Sequence, residues 1–400
     1  MPVNLRELPD ALAPPQPPNG IRWLVIVLLC SMAGAALVLV FWPGEWPLQR
    51  PWFWTCVLVF PLAGSAILFG LRLFAYENRR DYVESWNATR ATLETSLTRQ
   101  GQQALGLLAS AYCTPAGSNR LAAALRQGST PLHAAYQPAT ATVMNVSPLL
   151  AQTPQERDRD AARRMTAYLD RLLTVLVADL PPGMGAAPLR VRLRHNQRLA
   201  DADLLGLWTA CAQRKALNLE SVSIAVEGEG LLWLDAWLDQ EADVASPLVL
   251  SVELNLFDQP TADQAESVSV VLLARAEYCE RNAVPPTAWV HRPVAMSSDR
   301  HDAREVLLWG KVGQDSPPFA WQAQVPTDRL QDLQRALHQH GCGLEPQACL
   351  HLDTTLGAPG AAVGNIVLIV GAEQAATQGQ PQLLMLQDAT PQWCVVRPAQ

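Results

Sequence analysis

Two uncharged apolar segments near the N-terminus constrain this chain more than any other feature. Trp23–Trp42 is 20 residues long and Pro51–Leu71 is 21, and neither holds an Asp, Glu, Lys or Arg. A helix of either length crosses a hydrocarbon core of about 30 Å. A cleaved signal peptide has a shorter apolar stretch and no second span behind it. The expectation is therefore a two-span hairpin over residues 21–75, held by the lipid bilayer. Trp23, Trp42, Trp46, Trp52 and Trp54 cluster at the segment ends, where amphipathic rings prefer the interface. The loop of residues 43–50 has one basic residue, Arg50, while Arg6, Arg22, Arg72, Arg79, Arg80 and Arg90 lie on the other flanks. Basic residues stay inside, so both termini and the large remainder are expected in the cytoplasm, at a bacterial inner membrane. The 8 cysteines then need no disulfides, because that compartment is reducing.

The rest of the chain reads in order. Residues 1–20 hold Pro14, Pro15, Pro17 and Pro18 and form an extended tail. Residues 76–103 are polar and helix-prone, with a weak stripe of Trp86, Leu93 and Leu97, and connect the anchor to the large domain. From residue 104 strands and helices alternate. Leu105–Tyr112, Leu189–His195, Ser221–Val226, Leu248–Phe257, Ala288–Pro293 and Val306–Val312 read as strands. Val268–Cys279 begins as a strand and ends as a helix. Glu156–Leu180, Asp203–Leu217, Leu231–Leu238 and Asp328–His340 carry apolar residues at helical spacing. Thr327 or Asp328 caps the last of these and Gly341 ends it; Leu330, Leu333 and Leu337 face inward. Loops are expected around Pro115, Pro131 and Pro138. The alternation predicts an α/β domain with a parallel or mixed sheet, divided near Val284 into halves 104–284 and 285–400. A net charge of −7 gives no basic field for nucleic acid.

Leu352–Ala376 is the most informative stretch of this region. It passes through Gly357, Ala358, Gly360 and Gly364 into an apolar run with Gly371, Ala372, Ala375 and Ala376. That pattern predicts a tight structural loop feeding a buried helix against a sheet. Strands Gln382–Leu386 and Trp393–Arg397 come next. This ending resembles the C-terminal part of the thiolase and β-ketoacyl synthase superfamily of condensing enzymes, in which a strand leads to a Gly-His loop and a Gly-Ala-Ala-rich helix. The resemblance implies a thiolase-like layered α/β domain built of two similar halves, and a homodimer. It also places a catalytic histidine where this chain has Ala358.

A condensing enzyme also needs a nucleophilic cysteine at a strand-to-helix turn, where the helix start favours thiolate and oxyanion. The corresponding turn is Glu227-Gly228-Glu229-Gly230, which has no cysteine. Cys211 and Cys279 fall within helices and read as core. The histidine and cysteine group His338, His340, Cys342, Cys349 and His351 lacks the usual zinc spacing and reads as a helix end. Asp235 and Asp239 read as a solvated helix face. Arg157, Arg159, Arg163 and Arg164 interleave with acids and read as a salt-bridged surface. Walker A, GxSxG and dinucleotide motifs are absent from the sequence, so no cofactor is expected.

These readings predict a pseudoenzyme with no catalytic, cofactor or metal residues. It would act as a membrane-anchored scaffold, with the turn Glu227–Gly230 as an interaction surface for other membrane or cytoplasmic proteins. The two-span layout resembles that of accessory membrane proteins of type VI secretion. The alternative expectation is a membrane-tethered acyl-transferring or condensing enzyme with a cysteine nucleophile.

Overall fold

The computed structural model describes all residues except 1, 2, 4, 44–50, 138–140, 159, 181–183, 185, 186, 241–245, 297–300, 314–316, 340, 343, 345–347 and 400, and except the side chains of 301, 328, 332 and 333. The expectations for Trp46, Arg50, Pro138, Arg159 and His340, and for the side chains of Asp328 and Leu333, fall outside the described residues. The chain divides into two compact units, residues 4–97 and residues 1–3 with 98–400.

The smaller unit is helical. Asn19 accepts hydrogen bonds from the Ile21 and Arg22 amides and so caps α1, Gly20–Phe41. α2, Pro51–Trp54, continues through a π-helical turn, Thr55–Val59, into α3, Phe60–Gly101. Both helical stretches are long and apolar enough to cross a membrane. The hairpin and the connecting helix, expected as separate pieces meeting near residue 75, are one continuous helix there. No glycine or proline interrupts residues 72–100, so the helical ladder meets no breaker.

The larger unit alternates strands and helices. Its first half holds β1 (Ala104–Cys113), α4 (Leu121–Arg126), the hairpin β2 (His133–Gln137) and β3 (Thr142–Val146), and α5 (Ala161–Asp179). β4 (Leu189–His195), α6 (Asp201–Arg214), β5 (Leu219–Ile224), α7 (Leu232–Leu238), β6 (Leu248–Asn255), β7 (Ser267–Arg275) and α8 (Ala276–Arg281) complete it. The second half holds β8 (Ala288–His291), β9 (Val294–Ala295), α9 (His301–Trp309), β10 (Phe319–Ala323) and α10 (Thr327–Gln339). β11 (Cys349–His351), α11 (Leu352–Thr355), α12 (Val363–Gln378), β12 (Gln382–Gln387) and β13 (Pro391–Pro398) complete the second half.

The main sheet runs β11-β10-β12-β13-β8-β1-β7-β6-β4-β5. Set aside β9 and the β2–β3 hairpin, and both halves read alike. In chain order within its half, each lays its strands out as third, second, fourth, fifth, first. In each half the fifth strand, β7 or β13, is antiparallel to both neighbours. The repeated order is the topology expected of two similar halves. β1 pairs with β8 over Ala104–Leu107 and joins them.

Three apolar cores fix the layers. α5 and α6 cover one outer face through Leu169, Leu173 and Trp208. α9 and α10 cover the other through Val306 and Leu337. α7 and α12 share a central core with β6 of the first half and β10 and β12 of the second. Every residue from Val363 to Ala372 is buried, so α12 has no polar face, as its composition predicts.

Some expectations are corrected. Val306–Val312 is not a strand; Ala303, Val306, Leu307 and Gly310 are buried at helical spacing on and just after α9. The amphipathic helix expected from Glu156 starts at Ala161, because Asp160 caps it by accepting from the Ala162 and Arg163 amides. A hairpin stands where only loops were expected around Pro131. Asp235 and Asp239 are not a solvated face: both carboxylates grip the buried guanidinium of Arg292.

Candidate functional site at the strand ends

β4, β5 and β6 are mutually parallel, and so are β10 and β12. At their C-terminal ends the chain leaves the sheet and the residues turn polar: Arg194 and His195, Asn255, Gln324 and Asp388. Ligand sites of open α/β sheets form at such ends. A cavity of about 1040 Å³ opens there, lined by all five. Glu227 and Gly228 line it from the turn before α7, and Gly360 and Ala361 line it from the loop before α12. The structure thus brings together two stretches that lie far apart in sequence.

The second half fastens the start of α7. The Gly230 amide donates to Asp388 Oδ2 at 2.9 Å and the Leu231 amide donates to Gln392 Oε1 at 2.7 Å. Gln392 Nε2 donates in turn to the Glu229 carbonyl at 3.0 Å. Glu229 pairs with Arg192 at 2.9 Å, and Gln197 donates to Glu227 at 3.3 Å. Of the turn, Glu227 and Gly228 reach the cavity, while Glu229 and Gly230 serve its frame.

The loop before α12 is held as firmly. The Ala358 amide donates to the Asp263 carbonyl, and the Ala265 amide donates to the Ala358 carbonyl, each at 2.9 Å. Ala358, standing where the resemblance places histidine, is therefore a bridge to residue 264 and does not line the cavity. Gly360 has φ +57°, and a Cβ there would meet the Asn255 amide group at 2.7 Å. Its amide donates to Gln324 Oε1 at 2.7 Å. Gly364 sits deeper; a Cβ there would lie 2.8 Å from Glu253 Oε1. A Cβ at Gly357 would lie 3.1 Å from the Ala265 amide nitrogen, so Gly357 and Gly364 both stand at close approaches, whereas Gly360 lines the cavity.

Beneath the cavity lies a buried charge network. Arg194 meets Asp388 at 2.6 Å, and Arg192 meets Glu253 at 3.7 Å. Glu253 also accepts from the Asn365 amide at 2.7 Å. Burial pushes its carboxyl above the usual range, and Arg194 and Arg192 oppose that shift. Such a network stays intact only while each charge keeps its partner.

No cysteine lines the cavity. Burial pushes the thiols of Cys113, Cys211 and Cys279 up to about 11 and that of Cys349 up to about 12, against the thiolate a nucleophile needs. Among the described residues no group of three or more His, Cys, Asp or Glu is placed to hold a metal ion. A second cavity of about 640 Å³ lies beside α5. Two of its arginines are engaged: Arg164 pairs with Glu266 at 2.7 Å, and Arg198 pairs with Asp258. It lies away from the turn before α7 and the loop before α12, and the strand-end cavity is the better candidate.

The sequence singled out Glu227 and Gly228 as part of an interaction turn and Gly360 as part of a structural loop, and did not point to Arg194, His195, Asn255, Gln324 or Asp388, which line the same cavity. Their one signal was position: polar residues at the ends of apolar strands.

No family model matches the sequence, and no curated protein matches it either. Solved structures do. A β-ketoacyl synthase from Burkholderia phymatum STM815 aligns over 74% of this chain and 100% of its own, with TM-score 0.50 and 11% identity. The ketosynthase from module 1 of the bacillaene synthase of Bacillus amyloliquefaciens FZB42 aligns over 75% of this chain and 76% of its own, with TM-score 0.52 and 9% identity. Ketosynthase twelve of the bacillaene polyketide synthase of Bacillus amyloliquefaciens aligns over 75% and 74%, with TM-score 0.52 and 12% identity. At these identities the likeness carries the fold, a mixed layered α/β fold like that of ketosynthases. It also corrects the expectation of a pseudoenzyme. The fold is one that ketosynthases, condensing enzymes, use.

Proposed function

We propose that this protein is a membrane-tethered enzyme acting on acyl thioesters, with its reaction centre in the strand-end cavity. The observation that carries the reading is the meeting of Glu227–Gly228 and Gly360–Ala361 around one cavity of about 1040 Å³, in a fold like that of ketosynthases. With no cysteine in its lining, the acyl group stays on the thiol that delivers it. The cavity holds the thioester and supplies polar groups to the reacting carbonyl. Residues 21–75 anchor the domain at the cytoplasmic face of an inner membrane, which raises its effective concentration toward other membrane-bound proteins.

Ala361→Trp tests the reading by filling the cavity. Full-length protein in nanodiscs is incubated with S-acetyl and S-malonyl pantetheine, and product is followed by mass spectrometry. The expected result is turnover by the parent and at least a tenfold loss in the variant, with an unchanged melting temperature. No turnover of either thioester by the parent contradicts the proposal.

A further inference from the structure

The proline-rich tail, which the reaction centre does not use, is clasped to the helical unit. Residues 9–19 form neither helix nor strand, yet three side chains of α3 hold their backbone. Trp86 Nε1 donates to the Asp10 carbonyl at 3.2 Å, and Arg90 Nε donates to the Pro9 carbonyl at 2.8 Å. Asn87 grips Leu12 twice: Nδ2 donates to its carbonyl at 2.9 Å, and Oδ1 accepts from its amide at 3.0 Å. Arg90 is itself fixed by Glu94 at 2.9 Å. All four bonds go to backbone, so the clasp sets the path of the tail and uses none of its side chains.

That path is extended by necessity. The Trp23 and Phe69 rings lie 5.8 Å apart and Ser31 bonds Ser65 at 3.1 Å, so α1 begins near the level of Arg72 on α3. Asn87 stands about 22 Å further along α3, at 1.5 Å per residue. The chain from Gly20 back to Leu12 covers about 25 Å as polyproline II but only about 12 Å as α-helix. Pro14, Pro15, Pro17 and Pro18 fix φ and push the residues before them toward the same extended region. Asn19, which ends the tail, has φ −66° and ψ 110°. Exposure repeats every third residue: Leu12, Pro15 and Pro18 are half-buried, whereas Ala13, Pro14, Gln16 and Pro17 are exposed. Three residues per turn is the period of polyproline II. One edge of the tail thus faces the protein, and Pro14 and Pro17 stand one turn apart on an outer edge.

We infer that the tail is a docking element, with Pro14 and Pro17 as the ligand for another protein's uncharged groove of Tyr and Trp side chains. Prolines one turn apart on an exposed polyproline II edge are what aromatic-lined grooves read. Residues 11–21 carry no charge, so an acidic or basic groove gains no complementarity there. The clasp holds the backbone in the bound form beforehand and so lowers the ordering cost of docking. Asn19 caps α1, which seats the partner at the membrane face from which α1 starts.

The test places a benzophenone amino acid at Gln16 of the full-length chain in its native membranes, so that every proline is kept. Irradiation is expected to give an adduct to a different protein, mapped by mass spectrometry to a surface lined by Tyr or Trp. An excess of decaproline peptide is expected to lower the yield at least tenfold, and a Gly-Ser peptide of equal length to leave it within twofold. Pro14→Ala combined with Pro17→Ala, at exposed positions outside the clasp, is expected to lower the yield at least tenfold as well. Asn87→Ala, which opens the clasp, is expected to lower it about threefold; a yield within twofold of the parent's overturns the clasp's part in docking. No adduct, an adduct that decaproline does not compete, or adducts only to lipid or to a second copy of this chain overturn the proposal.

Discussion

The two halves lay out their strands in the same order, yet they hold their central helices by different means. α12 spans 16 residues, and apolar burial on all sides positions it. α7 spans 7 residues and starts from a turn of two glutamates and two glycines. It is too short to be stable alone. Besides the burial of Trp233, Leu234, Trp237 and Leu238, it is held by groups from the second half: Asp388 and Gln392 at the amides just before it, and Arg292 between Asp235 and Asp239. One repeated topology thus yields one helix set mainly by apolar burial and one whose apolar face is supplemented by polar clamps. The clamped helix is the one that borders the cavity through its leading turn. Polar clamps fix direction and distance where apolar contact fixes only proximity.

Three substitutions sharpen this contrast. Arg292→Met leaves two acids beside a buried site without their cation. Burial already pushes the Asp235 carboxyl upward against the pull of Arg292. Loss of about 3–5 kcal/mol is expected, read from denaturant unfolding of the full-length protein. A loss under about 1 kcal/mol would mean that the fork does not hold α7. Gly364→Leu, at the start of α12, pushes a side chain against Glu253 and its partners. An overpacking cost of about 1–3 kcal/mol is expected, and a melting temperature equal to the parent's would argue that α12 is not packed against Glu253.

The smallest effect concerns acid. His291, the last residue of β8, is buried, and burial holds its imidazole down to about 3, from 6.5. The folded protein therefore resists protonation that the unfolded chain accepts. Its contribution is fully present above pH 6.5 and is lost as pH falls from 6.5 toward 3. By pH 5 the loss is about 2 kcal/mol. His291→Gln is expected to flatten that part of the stability curve, whatever it costs at neutral pH, and an unchanged acid limb would contradict the assignment.

The range of the forces involved decides how much of the molecule is legible in its sequence. α12, β12 and β13 were legible because burial writes itself into composition: residues 363–372 are almost wholly apolar or small. α5 was legible through Met165, Leu169, Leu172, Leu173 and Leu176, buried along one face. α9 was misread because Val306 and Val312 resemble strand residues, and only tertiary packing selects the helix. β10 was missed because Phe319–Ala323 is short and apolar throughout, with no alternation. The site was half legible. Gly360 and Gly228 are marked by the backbone they need, whereas Asp388 and Gln324 acquire their meaning from neighbours 30 or more positions away, Gly230 and Gly360.

The central claim is that acyl thioesters bind where the turn before α7 meets the loop before α12. Photolabelling locates the site directly: a pantetheine thioester with a diazirine in its acyl chain is irradiated with full-length protein in nanodiscs, and the adducts are mapped by mass spectrometry. The account predicts adducts on Glu227–Gly228, Gly360–Ala361 and the polar strand ends, competed by unlabelled S-acetyl pantetheine. Adducts confined to the cavity beside α5, around Glu156, Arg164 and Met165, or scattered without competition, would contradict it.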